Sequence, residues 1–395
     1  MPAPGRPALV SISPVQTNDR PARPHVVGES SPGDDGTDLD DPRFQEIPRP
    51  AGLSGGRLRV IGYPFFDEPP VMITELPLSM GSYEGAVAAP RSPGRGNGRV
   101  GAIYTADGDR VVASHRGKIG NGWDANPERL PDADAAPERT VPGRSFYAGH
   151  WGPVFGHVLL ETLPRFWPDV DYSAYDHLVF YPKRVETTTV VRQPHIDQLI
   201  GAAGPARADY VMLAYGGARF EQIDIASAPI LMKDAADVRF LDVFDRIADR
   251  LLADHEPGGP LPTRVYLSRS RLNARRKRQA TNEEHVESML GKQGFAIVHP
   301  QELSIPDQVA IMRGAEVIAG CDGSGLHMSA FARPGTKLLA IDSRTVPNQF
   351  LVDQARQLDA LHVLAVDQAL GERSARWRVQ GQRVRMALDM LLSES

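Results

Sequence analysis

From about Arg57 onward, apolar positions fall into short runs separated by turn residues, and the spacing within the runs changes along the chain. Leu58 to Gly62, Val100 to Thr105 and Arg110 to Ser114 read as strands. Asp107-Gly108 between the last two is a hairpin signal, because glycine adopts the positive φ such a turn needs. Val158 to Leu163 is apolar at helical spacing, and Pro164 is expected to end or kink that helix. Leu178 to Pro182, Tyr210 to Leu213 and Phe220 to Ile225 read as strands, with helical patterns at His195 to Ala202 and Val238 to Asp254.

Beyond the turn-rich stretch Glu256 to Pro262 the elements alternate. Strands are expected at Arg264 to Ser268, Phe295 to Val298, Val317 to Ala319 and Lys337 to Ile341. Between them lie a helix opened by a Thr281-to-Glu284 capping box and closed near Gly291 or Gly294, a helix from Pro306 to Arg313 after Ser304, and a helix from Leu326 to Ala332. Strands without polar alternation, interleaved with helices, predict a parallel sheet covered on both faces.

Length makes this two domains, since single cores stop growing at roughly 250 to 300 residues and the chain has 395. The expected division is an irregular or disordered arm over residues 1–55, an N-terminal α/β domain over 56–255, a hinge over 256–263 and a Rossmann-like domain over 264–395. The last helix is expected to pack back on the N-terminal domain. The arm is rich in Pro, Gly, Ser and Asp, as in Ser30 to Pro42, and too poor in periodic apolar residues to offset the entropy of ordering. The net charge of -5 offers no whole-protein attraction to nucleic acid or anionic membrane. A single cysteine, Cys321, and no apolar run of about 18 residues point to a cytoplasmic protein, peripheral at the membrane if it meets one.

Gly320-Cys-Asp-Gly-Ser-Gly325 lies between a predicted strand and a predicted helix, where converging backbone amides suit an anion such as a diphosphate. A tight strand-to-helix turn explains the glycines equally well. No Lys-Ser or Lys-Thr follows, and the Gly-x-Gly-x-x-Gly spacing is absent, so the loop is neither a P-loop nor a dinucleotide fingerprint. Six cations stand within ten residues from Arg269 to Arg278, directly after a strand end, where doubly wound sheets bind ligands. Arg269 and Arg271 are the better phosphate candidates. Arg275, Arg276, Lys277 and Arg278 read more simply as a solvated loop. His150 and His157 sit among aromatic and small residues, but Gly152 and Pro153 argue against one helix carrying both. A histidine suits removal of a proton from a sugar hydroxyl, with Glu161 four residues on to orient it. Cys321 as nucleophile with His327 as base is the weakest of these readings. No metal-ligand spacing occurs, and the Asp38-to-Asp41 and Asp132-to-Asp134 pairs lie in loose polar stretches.

Two stretches together resemble glycosyltransferase family 61. Phe155-Gly-His-Val-Leu-Leu-Glu-Thr-Leu-Pro-Arg165 is similar to that family's Asn-Phe-Gly-His-Trp to Leu-Pro-Arg signature. Tyr266-Leu-Ser-Arg269, Asn282-Glu-Glu284, Gly294-Phe295, Leu303-Ser304 with Gln308, Gly323-Ser-Gly-Leu326 and Pro334-Gly-Thr336 follow in the family's order, over about residues 145–345. The resemblance implies a GT-B-like α/β fold, two Rossmann-like domains with parallel sheets facing a central cleft. It also implies inverting transfer without an obligatory metal or other cofactor. A nucleotide-sugar donor would bind the C-terminal domain, and a glycan or lipid-linked saccharide would accept the sugar, as in capsule or exopolysaccharide synthesis.

On that footing His157 is the expected base, with Glu161 and Arg165 in support and Asp322 at a catalytic position of the loop. Arg269, Arg271, Asn282, Glu283, Gly323, Ser324, Gly325 and His327 are expected to hold the nucleotide sugar. Asp322 stands where many relatives have histidine, and Val154 where they have asparagine. The alternative is a protein that keeps the fold and only binds glycan or nucleotide. A homodimer is compatible with either reading.

Overall fold

The computed structural model describes residues 44–90, 101–115, 126–134, 136–152, 154–182, 193–204, 207–213, 217–272, 279–366 and 376–393. In chain order the principal strands are β1 (Phe44–Ile47), β2 (Arg57–Ile61), β3 (Thr140–Trp151), β4 (His177–Pro182), β5 (Asp209–Met212), β6 (Ala218–Ala226), β7 (Arg264–Leu267), β8 (Ala296–Val298), β9 (Val317–Cys321), β10 (Lys337–Asp342) and β11 (Asp359–Leu364). The principal helices are α1 (Pro194–Ala203), α2 (Phe240–Leu252), α3 (Glu283–Gly291), α4 (Ile305–Gly314), α5 (Pro347–Ala355) and α6 (Gly381–Ser393).

The chain is mixed α/β, with two seven-stranded sheets. In the first, β6, β3, β4 and β5 lie side by side and parallel, while Met80–Glu84 and Val87–Ala88 join β6 antiparallel. The second runs β1-β2-β11-β10-β9-β7-β8, parallel throughout except for β1. Its central strands are continuously apolar because both faces are covered; every residue of β9 is buried. Leu267 at the end of β7 lies opposite Gly320 in β9. Residues after β7 and the glycine loop therefore leave the sheet side by side, at its carboxyl edge.

One contiguous core spans residues of both sheets, and the described residues from Phe44 onward form one compact unit. Helix α2 contributes Phe240, Leu241, Val243, Phe244, Ile247 and Ala248 from one face, the i, i+3, i+4, i+7 stripe of a helix laid on a core. Its Phe244 ring stands 5.0 Å from that of Phe331, in the turn after the glycine loop. Residues 256–261, within the expected hinge, are exposed.

Several expectations change. Leu58 to Gly62 was expected at the start of the N-terminal domain, yet β2 pairs with β11 of the second sheet. Asp359 fixes it there, bonding Arg57 at 3.0 Å and the buried Arg59 at 2.8 Å. Residues 44–55 of the expected irregular arm include β1, paired with β2, whereas residues 1–43 lie outside the described residues. Asp107-Gly108 makes its tight turn, with Thr105 N donating to Asp109 O at 2.8 Å, but residues 112–114 form a 3-10 turn rather than a strand. Helix α6 buries Val384, Ala387, Leu388 and Leu391 and packs on β10 and β11 of the second sheet. The Thr281 capping box does not form. Thr281 Oγ1 donates instead to Trp377 O at 3.1 Å, and Asn282 takes the N-cap position of α3.

Candidate functional site

The glycine loop leaves β9 at Cys321 and turns into a 3-10 helix over Leu326–Phe331. Leu326 N donates to Gly323 O at 3.0 Å and Met328 N to Gly325 O at 3.1 Å. Among the described residues, none accepts a hydrogen bond from the amides of Gly323, Ser324 or Gly325. A Cβ at Gly325 would meet nothing within 4 Å, so the loop has an open side there. Gly323 is closed off differently: a Cβ on it would stand 2.5 Å from Arg269 Nη1. Only glycine lets that guanidinium lie on the loop, where Nη1 donates to Asp322 O. The Arg269 guanidinium thus lies beside the loop amides, and both are donor types suited to phosphate oxygens.

The second approach to the loop comes from Phe155 to Arg165. This stretch is one irregular helix: an α turn over Phe155–His157, a π turn over Val158–Thr162 and a 3-10 turn over Leu163–Phe166 with Pro164 inside it. The proline lacks an N–H and disfavours α geometry before it, and π turns recur at functional sites. A Cβ on Gly156 would meet Ser324 Oγ at 2.8 Å and His327 Cδ2 at 3.3 Å. The two motifs, far apart in sequence, are therefore in direct contact. His157 Nδ1 lies 3.0 Å from Glu161 Oε1, and the Glu161 side chain is only 3% exposed. With the carboxylate taking Nδ1–H, Nε2 becomes the nitrogen through which the ring accepts a proton.

Arg165 points into the core rather than to the loop. Its guanidinium is buried, donates to the carbonyls of Ala226 (2.7 Å), Ala113 (3.2 Å) and His115, and lies over the Tyr147 ring. Burial lowers its pKa, against the field of Glu161. It ties the end of β6 at Ala226 to the backbone of Ala113 and His115, within the electrostatic reach of Glu161.

Of the other expected nucleotide ligands, Arg271 turns outward to Glu302 at 2.9 Å, with both side chains well exposed. Asn282 spends its amide on the Val379 backbone, donating at 3.0 Å and accepting at 2.8 Å, which ties α3 to the segment before α6. Glu283 is buried, and its Oε1 accepts from Arg269 N at 2.7 Å and Tyr266 OH at 3.1 Å, so it holds the backbone of Arg269. Burial raises its pKa. Cys321 is buried with its thiol 3.3 Å from Tyr266 OH and its pKa raised by burial, the opposite of an activated nucleophile. Asp322 is also buried; Oδ2 accepts from Ser343 Oγ at 3.0 Å and faces Arg344 Nε at 3.4 Å. Burial, with Asp342 nearby, raises its pKa. Arg275, Arg276, Lys277 and Arg278 lie outside the described residues.

Sequence reasoning missed a buried polar chain behind the loop. His327 Nδ1 meets Gln349 Oε1 at 2.8 Å, Gln349 Nε2 donates to Asp353 Oδ1 at 2.7 Å, and His362 lies between Asp353 (2.8 Å) and Asp342 (2.7 Å). Tyr63 OH from beyond β2 donates to the same Asp342 oxygen at 2.6 Å. The signal was there: Gln349 and Asp353, four apart on the buried face of α5, and a histidine within the apolar strand β11. Polar groups in such places demand partners. Among the described residues, no group of three or more His, Cys, Asp or Glu is arranged to hold a metal ion, and no helix is long and apolar enough to cross a membrane.

The model of a family described as glycosyltransferase 61 matches residues 155–339, beginning at Phe155 of the first motif and running past the glycine loop into β10. No curated protein matches the chain.

Proposed function

The chain belongs to glycosyltransferase family 61 by its residues 155–339, and from that premise we propose that it moves a sugar from a nucleoside-diphosphate donor to a hydroxyl of a glycan or lipid-linked saccharide, with inversion and without a required metal. The observation that carries this reading is the contact of Gly156 with Ser324 and His327, which brings a histidine–carboxylate pair to an anion-binding loop.

In the proposed step His157 Nε2 takes the proton of the acceptor hydroxyl while the hydroxyl oxygen bonds to the anomeric carbon. The bond from that carbon to the diphosphate oxygen breaks on the opposite face, and the leaving diphosphate keeps the electron pair. Glu161 stabilises the imidazolium as it forms. Arg269 and the amides of Gly323, Ser324 and Gly325 take up the charge on the diphosphate. Glu283 enters as the residue that positions Arg269, and Asp322 O as the carbonyl the guanidinium rests on. Arg165 supports Glu161 from the core.

The broader reading is a GT-B-like enzyme, with an acceptor half built on the first sheet, a donor half built on residues 264–395 and a hinge at 256–263. Its place is in capsule or exopolysaccharide assembly on the cytoplasmic side of a membrane. A thermal-shift panel of UDP, GDP, CDP and their sugars tests it, since a ligand that binds only the native state raises its melting temperature. Slow release of free sugar from the stabilising compound marks an enzyme. Stabilisation with no turnover in the presence of any saccharide acceptor marks a binding protein instead.

A further inference from the structure

The orientation of Gln349 is decided by what surrounds it. Its Nε2 donates to Asp353 Oδ1 at 2.7 Å and to Ser329 Oγ at 2.9 Å, and Asp353 is held by His362 on its other oxygen. An amide turned the other way would set its carbonyl against the Asp353 carboxylate. Oε1 therefore points to His327, and the 2.8 Å contact requires that Nδ1 of His327 carry the hydrogen. Nε2 is left as an acceptor. It sits beside Cδ2, the ring atom that a Cβ on Gly156 would approach to 3.3 Å, on the edge facing the His157 turn.

We propose that His327 accepts a hydrogen bond from a hydroxyl of the transferred sugar through Nε2, in a tautomer fixed by Gln349; this rests on the glycosyltransferase reading above. The location supports it, because His327 is two residues beyond Gly325 and beside Gly156, in the turn that carries His157. A neutral imidazole acceptor suits an O–H donor and offers nothing to a phosphate oxygen. Burial is the main cause that lowers the His327 pKa, to about 4; the Gln349 bond opposes it and the charge of His157 adds to it. The titratable groups around the ring are His157 from the first motif and, behind Gln349, Asp353 and His362. Gln349 acts through His327 and is a positioning residue.

The test has two arms. In long-range 1H–15N spectra of the full chain labelled at histidine, His327 is expected as the Nδ1–H tautomer at pH 7. Gln349→Met, similar in shape and without an acceptor, is expected to mix the tautomers. A wild-type Nε2–H tautomer overturns the proposal without need of a variant. In the second arm, binding of UDP, UDP-glucose and UDP-N-acetylglucosamine, and of GDP and GDP-mannose, is compared between wild type and His327→Ala. The sugar nucleotide is expected to weaken roughly tenfold while the bare diphosphate is unchanged. Equal weakening of both makes His327 a diphosphate group and overturns the proposal, leaving the transferase reading intact. If wild type binds none of the probes, the donor reading falls and this contact falls with it.

Discussion

Gly156 and Ser324 touch with no room for a side chain between them: a Cβ on Gly156 would lie 2.8 Å from Ser324 Oγ and 3.1 Å from its Cβ. The glycine thereby sets how closely the His157 turn approaches the loop. Gly156→Ala is expected to push the two apart, reducing turnover about 100-fold, the scale of a displacement near 1 Å. The crowding costs ~1–3 kcal/mol of stability. Adding Ser324→Gly removes the clashing atoms and keeps the loop amide, so the double variant should regain much of the activity. Turnover together with urea midpoints for wild type and the two variants decides this; a fully active Gly156→Ala protein would show that the contact sets nothing.

His157 and Glu161 act as a pair across one turn of the irregular helix. Replacing His157 with alanine removes the proposed general base and is expected to lower turnover by about 10²- to 10⁴-fold with little change in nucleotide affinity. Glu161→Gln keeps an acceptor for Nδ1–H and loses the charge that stabilises the imidazolium, so its defect should be smaller and confined to turnover. Steady-state rates beside nucleotide titrations separate the two effects. If His157→Ala loses nucleotide binding instead, the ring belongs to the donor site.

What was legible in the sequence was mostly local. The glycine loop, the strands around it and α4 with its Ser304 cap follow from spacing and from one hydroxyl that accepts from Asp307 N at 3.2 Å. Sheet membership was not legible, because a buried strand such as β2 has the same apolar pattern in either sheet; Asp359, some 300 residues away in sequence, decides it. Nor does residue type reveal where a side chain is spent. Arg165 and Asn282 belong to motifs that suggest ligands, yet the first bonds carbonyls in the core and the second a distant backbone. Arg269 lies against the glycine loop because it follows a strand end directly and the register of β7 with β9 puts strand end and loop together.

Arg269 rests on Gly323 through a planar guanidinium. Lysine carries the charge without the fork, so Arg269→Lys is expected to recover only part of what Arg269→Ala loses. For whichever nucleoside diphosphate stabilises wild type, the alanine variant should bind at least about tenfold more weakly, the scale of one charge-assisted hydrogen bond. The wild-type affinity should also fall more steeply with salt than that of the variant. Calorimetric titrations at two ionic strengths measure both, and equal affinities for the three proteins would take Arg269 out of the site.

The buried chain behind the loop gives stability a definite pH dependence. Burial alone would lower the pKa of His362, but Asp342 and Asp353, at 2.7 and 2.8 Å, outweigh it and raise it to about 9. A folded-state value above the unfolded one means the protonated histidine favours the folded protein. That contribution is complete below the unfolded value of roughly 6.5 and disappears as pH rises through about 9. Its size is on the order of 3 kcal/mol, the free energy of such a shift. The urea midpoint of wild type should therefore fall between pH 7 and pH 9.5. His362→Gln, which cannot carry the charge, should be less stable at pH 7 and change less over the same range. Cys321, whose thiol is also raised by burial, is present in both proteins and cancels from the difference. Parallel curves for the two proteins would mean that the histidine between its two carboxylates is not what titrates.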